Sequence, residues 1–250
     1  MLNKVPEVTL FFWIIKIMAT TVGETAADLL SAKLNLGLTG TAMATGVLLV
    51  AFLVAQMNAR KYVPWIYWMT VVLLSIFGTL LTDNLVDNFG VPLQTTTAVF
   101  GVALAATFAV WYASERTLSI HTITTTRREL FYWAAILFTF ALGTAAGDLA
   151  AEGMHLGYAT AALIYGGLIA AVTIAYYVFK ANAIAAFWTA YVLTRPFGAS
   201  CGDLLSQPVA NGGLGLGTVS TSSIFLVIII GLGAYMTVSR EKTPAQRRRP

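Results

Sequence analysis

Aspartate recurs in this chain at one fixed offset from tryptophan, and carboxylates repeated at a single level of a membrane bundle could bind cations or relay protons. The pattern is an aromatic residue, Trp, nine residues, Gly, four residues, Asp. It reads Phe12-Trp13…Gly23…Asp28, Tyr67-Trp68…Gly78…Asp83, Tyr132-Trp133…Gly143…Asp148 and Phe187-Trp188…Gly198…Asp203. With six Trp in 250 residues, four at one offset would arise by chance with a probability of roughly 10⁻⁷, so the pattern is an internal repeat.

Each Asp lies toward the C-terminal end of its segment, where the helix dipole disfavours a negative charge. Four carboxylates at one level repel, so they must be neutralised or take a positive partner. Glu24, one residue after the first Gly, adds a fifth ligand. Hydroxyls and amides such as Thr39, Gln94, Thr95, Thr160 and Thr221 fall in the same layer. Oxygen ligands with one Cys (Cys201) and two His (His121, His155) suit hard ions, Mg²⁺, Mn²⁺ or Ca²⁺, with Na⁺ or H⁺ as further options. The repeat gives all four aspartates the same rotation, onto a shared axis or onto equivalent interfaces. The competing role is packing, with each Asp hydrogen-bonded to a neighbouring helix.

Two cations interrupt the apolar runs. Lys16, three residues after Trp13, is expected to snorkel to the inner face. Arg195 is too deep for that and needs a carboxylate or an anionic ligand; paired with a motif Asp, it would be an internal counter-ion. Pro196 is expected to kink the helix. Gly23, Gly78, Gly143 and Gly198 are expected to let helices approach closely, helped by Gly147 and Gly202 four residues on. Trp13, Trp68, Trp133 and Trp188 are expected to form an interfacial aromatic belt.

These residues must be held by membrane helices. The chain is 58% hydrophobic and 10% charged, against roughly a quarter charged in a soluble domain. Apolar runs of about 20 residues fall near 8–32, 37–58, 63–86, 91–114, 130–153, 156–180, 183–207 and 215–238. The fold expected is all-α: eight transmembrane helices in four parallel hairpin repeats, forming two pseudo-symmetric four-helix halves (8–116 and 128–238). Together they make one transmembrane domain over 1–240, followed by a basic tail over 241–250. The first run is expected to stay as a helix, not a cleaved leader.

Basic residues fix the expected orientation. Lys4, Arg60, Lys61, Arg116, Arg127, Arg128, Lys180, Arg240, Lys242 and Arg247 to Arg249 fall on one side and Lys33 on the other, which places both termini in the cytoplasm. The net charge of +4 then reflects topology, and no nucleic-acid partner is expected. An even number of crossings separates successive motifs, so the repeats are parallel, not inverted.

The stretches KVPEVTLFFWIIK, TTVGETAADLL, FGTLLTDNLVDNFGVPL, WYASERTLSIHTITTTRRELFYW, LFTFALGTAAGDLAAE and LTRPFGASCGDLLSQP resemble a family of bacterial integral membrane proteins labelled "membrane-anchored protein". The resemblance implies the bacterial inner membrane and supplies no catalytic residues. With no Ser/His/Asp set, HExxH or phosphate loop, an enzyme is not expected. The leading expectation is a small cation transporter or channel, for a divalent metal or proton-coupled, in the lipid bilayer and open to homo-oligomerisation. The alternative is a non-transporting sensor or assembly module with structural aspartates.

Overall fold

Apolar segments of bilayer length satisfy their backbone groups within themselves, and the chain folds as helices throughout. The structure, a computed structural model, describes residues 3–33 and 36–246, of which 33 and 234–246 are described by their backbone alone. Part of the expected turn at Leu34 and Asn35, and the basic run Arg247 to Arg249, lie outside the described residues. The helices are α1 (Leu10–Lys33), α2 (Gly37–Asn58), α3 (Pro64–Asp83), α4 (Leu93–Glu115), α5 (Thr126–Asp148), α6 (Tyr158–Tyr177), α7 (Ala183–Ser206) and α8 (Thr218–Gln246). No strand occurs among the described residues. Helix α8 runs past position 240, so the described part of the expected tail is helical backbone.

Sequence signals account for the boundaries. Pro64 opens α3 at a position with no donor to lose. The Thr125 hydroxyl accepts from the Arg128 amide at the start of α5, and the Asn182 side chain accepts from the Ile184 and Ala185 amides at the start of α7. At the far ends, α3 and α5 each run directly from their motif Asp into a π-helical turn, Asn84–Asn88 and Leu149–Gly153. Such turns concentrate at functional sites.

Helices α1, α3, α5 and α7 form a closed inner ring in which each packs on the next and α7 returns to α1. The even helices cover its outside. Each lies on the following odd helix and touches its own hairpin partner far less: α2 on α3, α4 on α5, α6 on α7, and α8 back on α1. The expected hairpins are therefore connected in sequence but are not the packing units, and the two expected halves merge into one pseudo-fourfold ring. The reason lies in the seams between odd helices, which are too close for a further helix to enter. A Cβ built on Gly23 would lie 2.5 Å from the Ser75 Cβ, on Gly78 2.9 Å from the Phe140 Cβ, on Gly143 2.5 Å from the Arg195 Cβ, and on Gly198 2.7 Å from the Thr20 Cβ. Each motif Gly thus receives the side chain three residues before the next repeat's Gly. Gly147 and Gly202 prolong two of these seams, facing Ala199 and Glu24.

Among the described residues, six helical segments, Leu10–Ala32, Gly37–Asn58, Pro64–Asn88, Leu93–Glu115, Thr126–Gly153 and Tyr158–Tyr177, are long and apolar enough to cross a membrane. Those on α2, α4 and α6 are the least buried by protein, as suits lipid-facing helices. Helix α7, with Arg195, Ser200 and Asp203 buried among its residues, is not one of the six.

At the end carrying Arg60, Lys61 and Arg127, a non-helical strap precedes α1. Its Lys4 ammonium lies 2.7 Å from Glu129 Oε2 and 2.7 Å from the Met57 carbonyl, and Lys4 and Glu129 are both buried. Gln56 donates to the other Glu129 oxygen at 3.4 Å.

Candidate functional site

Residues four apart share a helix face, and on the odd helices the face that carries the motif Asp turns toward the ring's axis. Contacts between opposite helices establish this. Arg195 of α7 reaches Thr79 of α3, and Lys16 of α1 reaches Phe140 of α5. Stepping back by fours from Asp gives Glu24, Thr79, Thr144 and Ala199, then Thr20, Ser75, Phe140 and Arg195, then Lys16, Val71, Ile136 and Tyr191, then Phe12, Tyr67, Tyr132 and Phe187. At 1.5 Å per residue this stack spans about 24 Å.

At the level of Phe12 the rings close a collar. Phe12 meets Trp68 at 5.7 Å, Tyr67 meets Trp133 at 5.5 Å, Tyr132 meets Trp188 at 6.2 Å, and Phe187 meets Trp13 at 5.7 Å. The Tyr67 and Tyr132 hydroxyls also bond to each other. This corrects the expected belt: Trp68, Trp133 and Trp188 are buried. An aromatic pair at four equivalent positions has ring partners on both sides in a closed bundle, which an isolated hairpin would not offer. Edge-to-face and tilted contacts of this kind add about 0.5–1.5 kcal/mol per pair beyond burial.

Above the collar lie both intramembrane cations. Lys16 does not snorkel; it is fully buried, 3.2 Å from the Thr194 hydroxyl and 4.6 and 4.4 Å from the ring centroids of Phe140 and Tyr191. Aromatic faces attract an ammonium, and the axis leaves it no route to the end of the bundle. Arg195 is also fully buried. Its Nη2 donates to Glu24 Oε2 at 3.0 Å, to Thr144 Oγ1 at 2.7 Å and to Thr79 Oγ1, its Nη1 to the Thr20 carbonyl at 2.6 Å, and its Nε to the Phe140 carbonyl at 3.4 Å. One guanidinium ties α7 to the other three inner helices. Its partner is Glu24, not one of the repeat aspartates, and α7 continues as a helix through Pro196.

Glu24 sits at the base of an acidic cup. Oxygens of Glu24, Asp148 and Asp203 all lie within 4.8 Å of one another. Asp28, Asp83, Asp148 and Asp203 stand one helical step beyond Glu24 and its equivalents on the axis-facing stack, so the four aspartates gather about one axis. Asp28, Asp83 and Asp148 are part-exposed and Asp203 is buried, which makes the cup open at the end away from the strap. Among the described residues no hydrogen-bond donor meets any of the four aspartate carboxylates. The inter-helix hydrogen bonds that a packing role would require are therefore absent there. Glu152 is held by the Tyr158 hydroxyl at 2.8 Å, and Thr39 bonds Asn84 at 2.6 Å, both near the rim.

Counting formal charges, Glu24 and the four aspartates face only Arg195 and Lys16 on the axis. The cup offers more carboxylate groups than there are cations facing it, and hard cations take such oxygen ligands. Thr79, Thr144, Thr20 and Phe140 belong to this site but stand outside the sequence motif. Stepping by fours from each Asp would have found all four.

Comparison with known proteins bears on the repeat. Residues 11–62, 66–117, 131–182 and 186–242 each match the model of the Repeat of Unknown Function (DUF347). Neither curated proteins nor solved structures contain a match to the chain.

Proposed function

As a member of the family built on the Repeat of Unknown Function (DUF347), the chain is an apolar four-repeat helical protein, and we propose that it is a cation carrier with all eight helices in the membrane. The observation that carries this reading is the convergence of Glu24, Asp148 and Asp203 oxygens to within 4.8 Å, with Asp28 and Asp83 completing the cup. Its cargo is a hard divalent cation, Mg²⁺, Mn²⁺ or Ca²⁺, because the ligands are oxygen alone. The distribution of Lys and Arg supports a bacterial inner-membrane setting with both termini cytoplasmic, so the cup faces outward.

A carrier fits better than an open channel. Arg195 stands on the axis with Lys16 below it. A cation passing that level meets the Arg195 guanidinium at close range. Release inward then requires Arg195 to part from Glu24, and a cation held by Glu24 competes for the same carboxylate. The five hydrogen bonds of Arg195 also favour a second reading, a rigid membrane module in which the cup binds a structural ion.

The test is the thermal stability of purified protein with Mg²⁺, Mn²⁺, Ca²⁺ or Na⁺, beside an Asp148→Asn/Asp203→Asn variant, followed by flux into proteoliposomes. One ion is expected to raise the midpoint, since a ligand that prefers the native state stabilises it, and the variant is expected to lose both that rise and flux. A selective rise without flux would move the module reading to first place. No selective rise would overturn both.

A further inference from the structure

Two crevices open in the outer wall of the ring near the strap end. Because α4 packs on α5 and α6 on α7, a gap is left between α4 and α7, and another between α6 and α1. The first has a volume of about 630 Å³ and is walled by Phe108, Tyr112, Trp188, Val192 and Leu193. The second has a volume of about 750 Å³ and is walled by Trp13, Ile17, Val172, Thr173 and Tyr177. Aligning the repeats makes the two equivalent: Trp188 answers Trp13, Val192 answers Ile17, and on the even helices Tyr112 answers Tyr177.

An exposed cation lines the first crevice, and another lies in the turn between two residues that line the second. Arg116 lines the first, beside Asn182. Lys180 stands between Tyr177 and Ala183, which both line the second. Both have a left-handed φ of 56°; Arg116 caps α4, and Lys180 lies in the turn that follows α6. The Arg116 amide bonds to the Tyr112 carbonyl at 2.8 Å, and past Lys180 the Ala181 amide bonds to the Ala175 carbonyl at 3.0 Å. Glycine is the usual residue at such a position because a side chain is sterically disfavoured there. Two long basic side chains at strained positions, each beside an apolar crevice, fit one class of ligand: an anion with a hydrocarbon tail.

We propose that each crevice is a binding site for an anionic phospholipid, one acyl chain lying along the apolar walls and the phosphate meeting Arg116 at the first site and Lys180 at the second. Juxtamembrane cations attract anionic headgroups, and apolar walls in a membrane are covered by acyl chains. The inference shares the membrane setting of the proposed function but uses no residue of the acidic cup, so either can fail alone.

The full chain in micelles would be given phosphatidylglycerol or phosphatidylcholine with the same acyl chains, and retained lipid counted by native mass spectrometry. Two copies of phosphatidylglycerol should be retained against few or none of phosphatidylcholine, and inorganic phosphate should not displace them. Arg116→Asn and Lys180→Asn, chosen because Asn tolerates the left-handed region, should each lose one copy and the double variant both. Equal retention of the two lipids by the unaltered protein would overturn the proposal, showing non-selective solvation of the crevices. Full retention by the double variant would do the same, placing the lipid elsewhere.

Discussion

Arg195 in the last repeat and Glu24 in the first meet on the ring axis, Nη2 to Oε2 at 3.0 Å, so one ion pair joins the two ends of the repeat series. Both stand where the fourfold pattern is broken. The positions equivalent to Arg195 are Thr20, Ser75 and Phe140, and those equivalent to Glu24 are Thr79, Thr144 and Ala199. Duplication supplies four copies of the seam, and one of them has been specialised. A charge buried in this way requires its partner, because removing one member leaves the other uncompensated in a low dielectric.

Glu24→Gln is expected to destabilise the protein by about 3–5 kcal/mol, the cost of an unpaired buried charge. Adding Arg195→Met to it should recover most of that loss, since an apolar side chain of similar length fills the space without a charge. Chemical unfolding in mixed micelles measures both. A double variant no more stable than Glu24→Gln would show that the pair does not act as a unit.

Glycine-to-alanine substitutions should separate contact from propensity. On Gly143 the new methyl would lie 2.5 Å from the Arg195 Cβ and 3.0 Å from the Pro196 Cδ, atoms fixed close to the backbone, so α5 and α7 must part. On Gly147 the nearest atoms are at 3.6 Å, an ordinary contact, and on Gly167 nothing lies within 4 Å. Gly143→Ala is expected to cost roughly 1–3 kcal/mol from overpacking. Gly147→Ala should be near neutral, and Gly167→Ala should gain about 0.5–1 kcal/mol from helix propensity. Thermal midpoints of the three variants provide the comparison, and a Gly143→Ala protein as stable as the other two would refute the seam.

Depth was legible in the sequence and azimuth was not. Run lengths place the helices within a few residues except at the end of α8, which runs eight residues past the expected 238, and the repeat places Asp28, Asp83, Asp148 and Asp203 at one level. Which helix meets which depends on the order of odd helices around the ring, and local periodicity carries no such information. Trp68 was therefore read as an interfacial residue although Phe12 of the neighbouring helix covers it. The distance of Lys16 along its helix allows it to reach the inner face, while the collar beneath it appears only when four helices are assembled. Arg195 showed its need for a partner through burial alone; that the partner is Glu24 follows from α7 returning to α1.

Lys16 has no carboxylate within ion-pair distance among the described residues; a hydroxyl and two aromatic faces are what it meets. Lys16→Met keeps the length of the side chain and removes the cost of burying an ammonium, so the variant should melt at a higher temperature than the parent. If the two axial cations are the barrier that makes the protein a carrier, the same variant should leak the transported cation faster in proteoliposomes. Raised stability with unaltered leak would assign Lys16 to packing alone.

The strap before α1 is held by a buried ion pair, Lys4 to Glu129, with Met57 and Gln56 of α2 completing the contacts. Glu129→Gln keeps the shape and removes the counter-charge, leaving Lys4 buried with only a carbonyl and an amide. Truncating one partner of such a pair is costly, and the element with the fewest other attachments opens first. The strap has few others: the Gln56 side-chain amide to the Lys4 carbonyl at 3.5 Å, a backbone bond from Lys4 to the Ile123 carbonyl at 3.3 Å, the burial of Val5 and Pro6, and Val8 packed on the core. Amide hydrogen exchange at residues 4, 5 and 7–9 in Glu129→Gln should therefore accelerate by at least about tenfold, while the ion-induced rise in thermal midpoint, which depends on the opposite end of the ring, stays as in the parent. Loss of that rise together with the strap would mean that the two ends are coupled, and unaltered exchange would mean that Val5 and Pro6, not the ion pair, hold the strap.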